Sequence, residues 1–262
     1  MEIVTNNADL YSLMENKVIG KFNLSNTKIL FSGSNNILCC KGEINLNDTI
    51  LRFEGSNSVI FIDDNDTLEL NIRIDSSGVF YLGKNSCLTR TSHVYVTDNK
   101  NIIIGNDCNI SFGNYLKTAD KYPIYDISTK KRINEGKSIL IGDYVWIKQS
   151  TTILENTIIG SGSILNYNSF VDNKTLTSNS IYGGNPIKRI KEGITYINPS
   201  NNLLEDNIKE IEEHIYTKDK TSINFKSLDK DILELKTSDE KLKYLILNIS
   251  NNNNKNRFAI NK

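Results

Sequence analysis

IGDYVWIKQSTTILENTIIGSGSILNYNSFVDNKT, residues 141–175, decides the fold. In steps of six it places Ile141, Ile147, Ile153, Ile159, Leu165 and Val171 at one position without a gap. Four residues after each stand Val145, Thr151, Thr157, Ser163, Ser169 and Thr175, all small or β-branched. A period of six matches neither the 3.6 of a helix nor strand alternation. It matches a parallel β-helix of hexapeptide repeats, with the aliphatic pointing into a prism and the small residue inside the turn.

Three hexapeptides make one triangular coil. Stacking coils in this register puts Leu82, Ile104, Ile141 and Ile159 on a first face and Leu88, Ile110, Ile147 and Leu165 on a second. Val94, Leu116, Ile153 and Val171 line a third. Upstream, residues 22–79 hold β-branched and aliphatic runs divided by Gly, Asn, Asp and Ser, with the period blurred. The interval from Val94 to Ile104 implies a four-residue bulge around TDNKN. Between Leu116 and Ile141 the period breaks, which predicts a loop over 117–140 protruding from a rigid scaffold, the first place to look for chemistry.

Gly183, Gly184 and Pro186 end the regular coil, and helical spacing follows. Leu204, Ile208, Ile211 and Ile215 predict an amphipathic helix, residues 228–235 a second, and Thr237 with Glu240 a capping box opening a third. These helices are expected to cap the open end of the coil or hold subunits together. The polar end, NNNNKNRFAINK, reads as mobile. The expectation is therefore an all-β, left-handed parallel β-helix over 1–197 with a helical extension and tail over 198–262.

The 262 residues carry 31 basic and 31 acidic side chains and no long basic run, so nothing points to nucleic acid. No stretch reads as a membrane span or a secretory signal. Cys39, Cys40, Cys87 and Cys108 show neither metal spacing nor a disulfide framework, and Cys108 falls at a small-residue step where a thiol packs. The expected compartment is the cytoplasm.

TADKYPIYDISTKKRIN (118–134), ILIGDYVWIK (139–148), TTILENTIIGSGSIL (151–165) and NSIYGGNPIKRIK (179–191) closely resemble hexapeptide-repeat acetyltransferases. Within that superfamily they are most similar to enzymes that O-acetylate bacterial surface sugars, especially capsular sialic acid. The resemblance is strong over 101–191 and does not cover the C-terminal helices. It implies a homotrimer binding acetyl-CoA in grooves between subunits, with no metal and with a glycan or nucleotide-sugar as acceptor. It also implies a loop base that takes the proton of an acceptor hydroxyl as that hydroxyl attacks the thioester.

By the same resemblance Tyr122 stands where the family has its catalytic His, twenty-four residues before Trp146. A phenol, titrating near 10 in water, is a weak base at neutral pH. Asp120 is placed to orient a partner and Trp146 to line the acceptor site. Lys148 replaces a common Gly and Tyr144 a frequent His. The cofactor groove is expected to use Lys148, Asn166, Tyr167, Gly184, Asn185 and Pro186, with Lys188 and Arg189 near the phosphates. Lys121, Tyr125, Arg132 and Tyr144 are expected on the acceptor. Of the two histidines, His93 near a coil corner is the alternative base and His214 on the first helix reads as solvent-facing. Two histidines do not make the three-ligand zinc site of a β-helix carbonic anhydrase. No glycine fingerprint of a nucleotide-binding βαβ unit precedes the coils, which excludes a sugar-nucleotide synthesising enzyme. The competing reading is a β-helix that lost turnover and kept a structural or glycan-binding role.

Overall fold

In the computed structural model, which describes residues 1–88, 92–197 and 204–261, the six-residue period becomes a three-sided parallel coil. Every expected stacking partner is found. Leu82, Ile104, Ile141 and Ile159 follow one another in register on the first face. Leu88, Ile110, Ile147 and Leu165 do so on the second, and Val94, Leu116, Ile153 and Val171 on the third. All twelve point into one apolar core and are at most 2 % exposed.

The corners explain the small residue. Val145, Thr151, Thr157, Ser163 and Ser169 are buried inside the turns. There a hydroxyl caps carbonyls that the turn leaves without a strand partner: Thr151 Oγ1 donates toward the Lys148 and Asn166 carbonyls, each at 3.1 Å. Thr175, the sixth small residue, departs from the expectation. The turn after Val171 is one residue shorter, so Thr175 faces outward and Leu176 pairs with Ile159.

The blurred upstream period has a simple cause: strands there run four residues instead of two, as at Val59–Ile62 and Val79–Leu82. The interval after Val94 is likewise a longer strand, His93–Val96, followed by a turn in which Asp98 and Asn99 both have positive φ, so no bulge forms. Sixteen described non-glycine residues have φ above zero, and nine are Asn and three Asp. These side chains tolerate the left-handed region best, which supplies a structural reason for the Asn-rich composition.

The extension corrects two expectations. Helices α1 (Leu204–Glu213), α2 (Phe225–Glu234) and α3 (Ser238–Leu245) follow the coil. Phe225, Leu228 and Ile232 of α2, Leu242 and Leu245 of α3, and Phe258 pack against the outward side of the first face, on Val59, Phe61, Tyr81, Ile103 and Leu140. They lie along the flank of the coil, not over its open end. First-face strands such as VIFI are therefore apolar on both sides. The polar tail is docked rather than mobile, with Arg257, Phe258 and Ala259 buried. The capping box at Thr237 and Glu240 forms as expected. Helix α1 differs: Ile208, Ile211 and Ile215 face solvent instead of the coil. The side chain of Leu204, the first of the expected apolar positions, lies outside the described residues. Among the described residues no helix is long and apolar enough to cross a membrane.

Arg257 is 1 % exposed and makes a two-pronged pair with Asp143, Nε to Oδ2 at 2.9 Å and Nη2 to Oδ1 at 2.7 Å. Its Nη1 donates to the Ile249 and Asn252 carbonyls. Removing one partner of such a pair strands the other charge, so Arg257→Ala is expected to cost about 3–5 kcal/mol in urea unfolding. A second anchor, Lys241, donates to the Ser77 carbonyl at 2.5 Å, and burial pushes its ammonium down to about 8 from 10.5. Between these two values the unfolded chain binds the extra proton, so stability is expected to rise from about pH 8 toward pH 10.5. Lys241→Met should flatten that rise in a pH series of unfolding midpoints.

Candidate active site

The protruding loop leaves the third-face strand Tyr115–Lys117 and rejoins the coil at Ile139–Ile141. It is an ordered hairpin, bridged at Tyr125 and Arg132. Its tip is an Asx turn in which the Asp126 carboxylate accepts from the Ser128 and Thr129 hydroxyls and N–H groups. Those bonds hold the carboxyl down at about 2. At the base, Arg132 pairs with Asp98 at 3.0 Å, and the Gly136 N–H donates to the same carboxylate at 2.7 Å. Burial alone would raise the Asp98 carboxyl, but these donors hold it below its usual range. A Cβ on Gly136 would sit 2.7 Å from Ala119 Cβ, so the loop returns only through glycine. Asn134, which no motif marked, ties the loop together. It donates to Asp120 Oδ2 and the Tyr122 carbonyl and accepts from the Ile124 N–H.

Tyr122 projects from this frame 70 % exposed, with the Lys121 ammonium 5.2 Å from its ring. Tyr125 is exposed beside it. Asp120, Lys121 and Arg132 line a cavity of about 580 Å³ between the loop base and the outer side of the third face. Its other wall is Arg73, Tyr95, Tyr115 and Lys117, with Tyr95 and Tyr115 rings 5.3 Å apart. Sequence reading missed this wall. The usable signal was alternation, since in HVYV and YLK the residues next to an inward aliphatic must point out. His93 sits on the same outer face, exposed, with Nδ1 3.0 Å from Asn71 Nδ2, and does not line the cavity.

A second group occupies the outer side of the second face. Lys148 Nζ donates to Asn166 Oδ1 at 2.9 Å and lies 4.7 Å from the Trp146 ring and 5.1 Å from the Tyr167 ring. The ammonium is thus fixed by one hydrogen bond and two aromatic faces. Below Asn166 the chain turns into a hairpin, Ser180–Gly183 against Lys188–Glu192. A Cβ on Gly183 would touch Asn166 Cβ at 3.2 Å, so strand and hairpin are in close contact. Gly184, Asn185, Pro186, Lys188 and Arg189 are exposed there, with Arg189 paired to Glu192 at 3.1 Å. Of the eight residues expected at the cofactor groove, Lys148, Asn166 and Tyr167 group on the second face, while the turn that holds Gly184, Asn185 and Pro186 reaches the third-face strand, where the Phe170 N–H donates to the Gly184 carbonyl and the Ile187 N–H to the Phe170 carbonyl, each at 3.0 Å.

Two expectations change. Tyr144, expected on the acceptor, is buried by the extension; its ring lies between Tyr196 at 4.3 Å and His214 at 3.4 Å, and its hydroxyl donates to the Tyr196 carbonyl. Burial raises its hydroxyl to about 12. His214 is half-buried in this stack rather than solvent-facing, and burial lowers its pKa. Tyr196 also tilts onto Trp146 at 5.5 Å, which carries the stack to the second-face group. Among the described residues no cluster of three His, Cys, Asp or Glu side chains is placed to hold a metal ion.

No family model matches the chain. The crystal structure of NeuO, a polySia-specific acetyltransferase, is 31 % identical over 73 % of this chain and 82 % of that one, with a TM-score of 0.68. The chain belongs to the hexapeptide-repeat acetyltransferase family. Its fold is the left-handed parallel β-helix with C-terminal helices that the repeats implied. A polysialic acid O-acetyltransferase of Escherichia coli O1:K1 is 37 % identical over 101 residues, 38 % of this chain and 33 % of that protein. A putative lipopolysaccharide biosynthesis O-acetyl transferase of Escherichia coli K12 is 28 % identical over 134 residues, 51 % of this chain and 61 % of that protein. The chain spans one third to three fifths of the length of these two curated relatives.

Trp146 is the only tryptophan, so it reports on the second-face group alone. Lys148→Met removes the ammonium over its ring and is expected to shift tryptophan emission. Far-UV circular dichroism should stay unchanged, because Lys148 lies outside the core.

Proposed function

We propose that this chain transfers an acetyl group from acetyl-CoA to a hydroxyl of a bacterial surface glycan, a sialic acid or a capsule or lipopolysaccharide sugar. The reaction would take place in the cytoplasm, in sites shared by the subunits of a homotrimer. The observation that carries this reading is the fixed strip of Trp146, Lys148, Asn166 and the 183–189 hairpin, in a chain of acetyltransferase fold.

The strip suits the ligand by its chemistry. Lys188 and Arg189 are exposed cations for a diphosphate, and Gly184 has only the Pro186 carbonyl near where a Cβ would stand, at 3.5 Å. That open backbone leaves room for an extended pantetheine arm, with Lys148 beyond it. Acetyl-CoA supplies the acyl group as a thioester. On the acceptor side, the cavity under the loop offers the pairing usual for sugars, ring faces from Tyr95 and Tyr115 and planar polar groups from Arg73 and Arg132. Tyr122, between the cavity-lining Lys121 and Pro123, acts as the phenolate: it takes the proton of the hydroxyl that attacks the thioester carbonyl and returns it to the CoA thiolate that leaves as the ester forms.

The loop group lies on the third face and the Trp146, Lys148 and Asn166 group on the second, with the 184–187 turn bonded to Phe170 at the third face. None of the bonds and ring contacts described above joins the loop group to the Trp146 group. The shared-site reading sets the third face of one copy against the second face of the next. A heterologous contact of this kind closes into a ring of three when its rotation is a third of a turn, which is the arrangement a homotrimer requires.

A second reading, glycan binding without turnover, is favoured by one observation: Tyr122 is a phenol where the family has an imidazole. Calorimetric titration with acetyl-CoA and CoA, followed by an acceptor screen, separates the two. Micromolar binding is expected, weakened about tenfold by Lys188→Ala with Arg189→Ala. Tyr122→Phe should lower transfer by about 10²-fold or more, and Tyr122→His should keep or raise it. No binding at millimolar acetyl-CoA would sink the enzyme reading. Binding with both parent and Tyr122→His inert on every acceptor would leave the second.

A further inference from the structure

One chain leaves two apolar stretches in water. The loop arm exposes Ile124, Ile127 and Ile133 at 50, 85 and 65 %. Helix α1 and its end expose Ile208, Ile211 and Ile215 at 56, 40 and 50 %. Neither set is scattered. The first comes from the two sides and tip of one bridged hairpin, and the second recurs at helical spacing on one side of α1. Contiguous apolar surface of this kind marks a contact.

Charge distinguishes the two patches. Exposed Lys130 and Lys131 flank the isoleucines of the arm, whose Asp126 is held by Ser128 and Thr129, whereas exposed Glu212 and Glu213 outnumber the exposed cation Lys209 beside those of α1. Their positions also correspond. The arm springs from the third-face side of the coil, and α1 ends at His214 on the Tyr144 stack, beside the second-face strip. A shared site sets the third face of one copy against the second face of the next, which carries the arm toward the neighbour's α1. The five residue steps from Tyr122 to Ile127 reach at most about 17 Å, and the five steps from Ile208 to the end of α1 at Glu213 span about 7.5 Å of helix. The reach is sufficient for both Tyr122 near the strip and the tip on α1.

We propose that the arm of one copy docks on α1 of the neighbouring copy. Ile124, Ile127 and Ile133 cover Ile208, Ile211 and Ile215, and Lys130 and Lys131 face Glu212 and Glu213. The C-terminal extension is then an assembly element that receives the loop carrying Tyr122. This rests on the shared-site reading above.

Sedimentation of the full chain, with self-association measured across concentrations, tests it. Ile127→Asp and Ile211→Asp alter exposed side chains and leave the fold intact by circular dichroism. Each is expected to weaken self-association at least about tenfold. Lys131→Glu should weaken it as well, and adding Glu213→Lys should restore it. In a Cys87→Ser background, which removes the exposed thiol, Ile127→Cys with Ile211→Cys should give disulfide-linked multimers under oxidation. A trimer indifferent to both Asp variants and giving no linked multimers overturns the docking. It leaves the acetyltransferase reading standing, because acetyl-CoA binding tests that separately. A chain that stays monomeric at every concentration overturns both the docking and the shared site.

Discussion

A coil that turns every few residues must bend its backbone sharply while keeping an aliphatic column on each side in register. This requirement governs most of the molecule. At each corner between Ile141 and Leu176 one residue takes a left-handed conformation, and at most of them another must be small enough to sit inside the bend. Where short strands meet short corners, between Ile141 and Val171, the chemistry repeats without interruption. The cores of the three faces then fuse into a single column in which most buried polar side chains find a partner, Thr157 Oγ1 and Asn101 Oδ1 being exceptions among the described residues. Buried Asn and Ser residues are admitted because they bond to the next coil, as Asn36 does with Asn16 and Ser58.

The second constraint is the outward side of the first face. Its strands are apolar on both surfaces, so a bare coil would expose Val59, Phe61, Tyr81 and Ile103. The extension covers them, and its polar end is locked by Arg257 on Asp143. Asp143 also accepts from the Asn106 N–H, so the same carboxylate serves coil and tail. It stands three residues before Trp146, in the corner that begins the second-face strip. The buried pair therefore joins the packing of the extension to the geometry of the candidate site.

Much of this was legible in the sequence, and the reason is periodicity. A six-residue repeat reports directly on which residue points inward, and all twelve stacked aliphatics followed from it. It failed where a turn changed length, at Thr175, because a one-residue deletion moves every later side chain to the opposite surface. The outer surfaces were less legible. Tyr95, Tyr115 and Arg73 carry no motif and meet only because successive coils place them in neighbouring rows. Tyr144 and His214 lie seventy residues apart and stack because the extension folds back, which no local pattern records. Helix α1 had the right spacing for burial, yet spacing fixes which residues share a face, not what covers that face.

That last distinction bears on the division of the site. The proposed shared site rests on where the loop and the Trp146 group sit in one chain. The loop leaves after a third-face strand, whereas Trp146 and Lys148 are carried by a second-face strand and its corner. Moving the loop onto the second face would break the Arg132–Asp98 pair and the Gly136 contact that hold its base. A rigid, charge-paired loop base is what a chain needs if the loop is to present Tyr122 outward to another copy. On the docking proposed above, the exposure of Tyr122, of the arm isoleucines and of the α1 isoleucines has one cause, since surfaces bare in one chain would become interior where two chains meet.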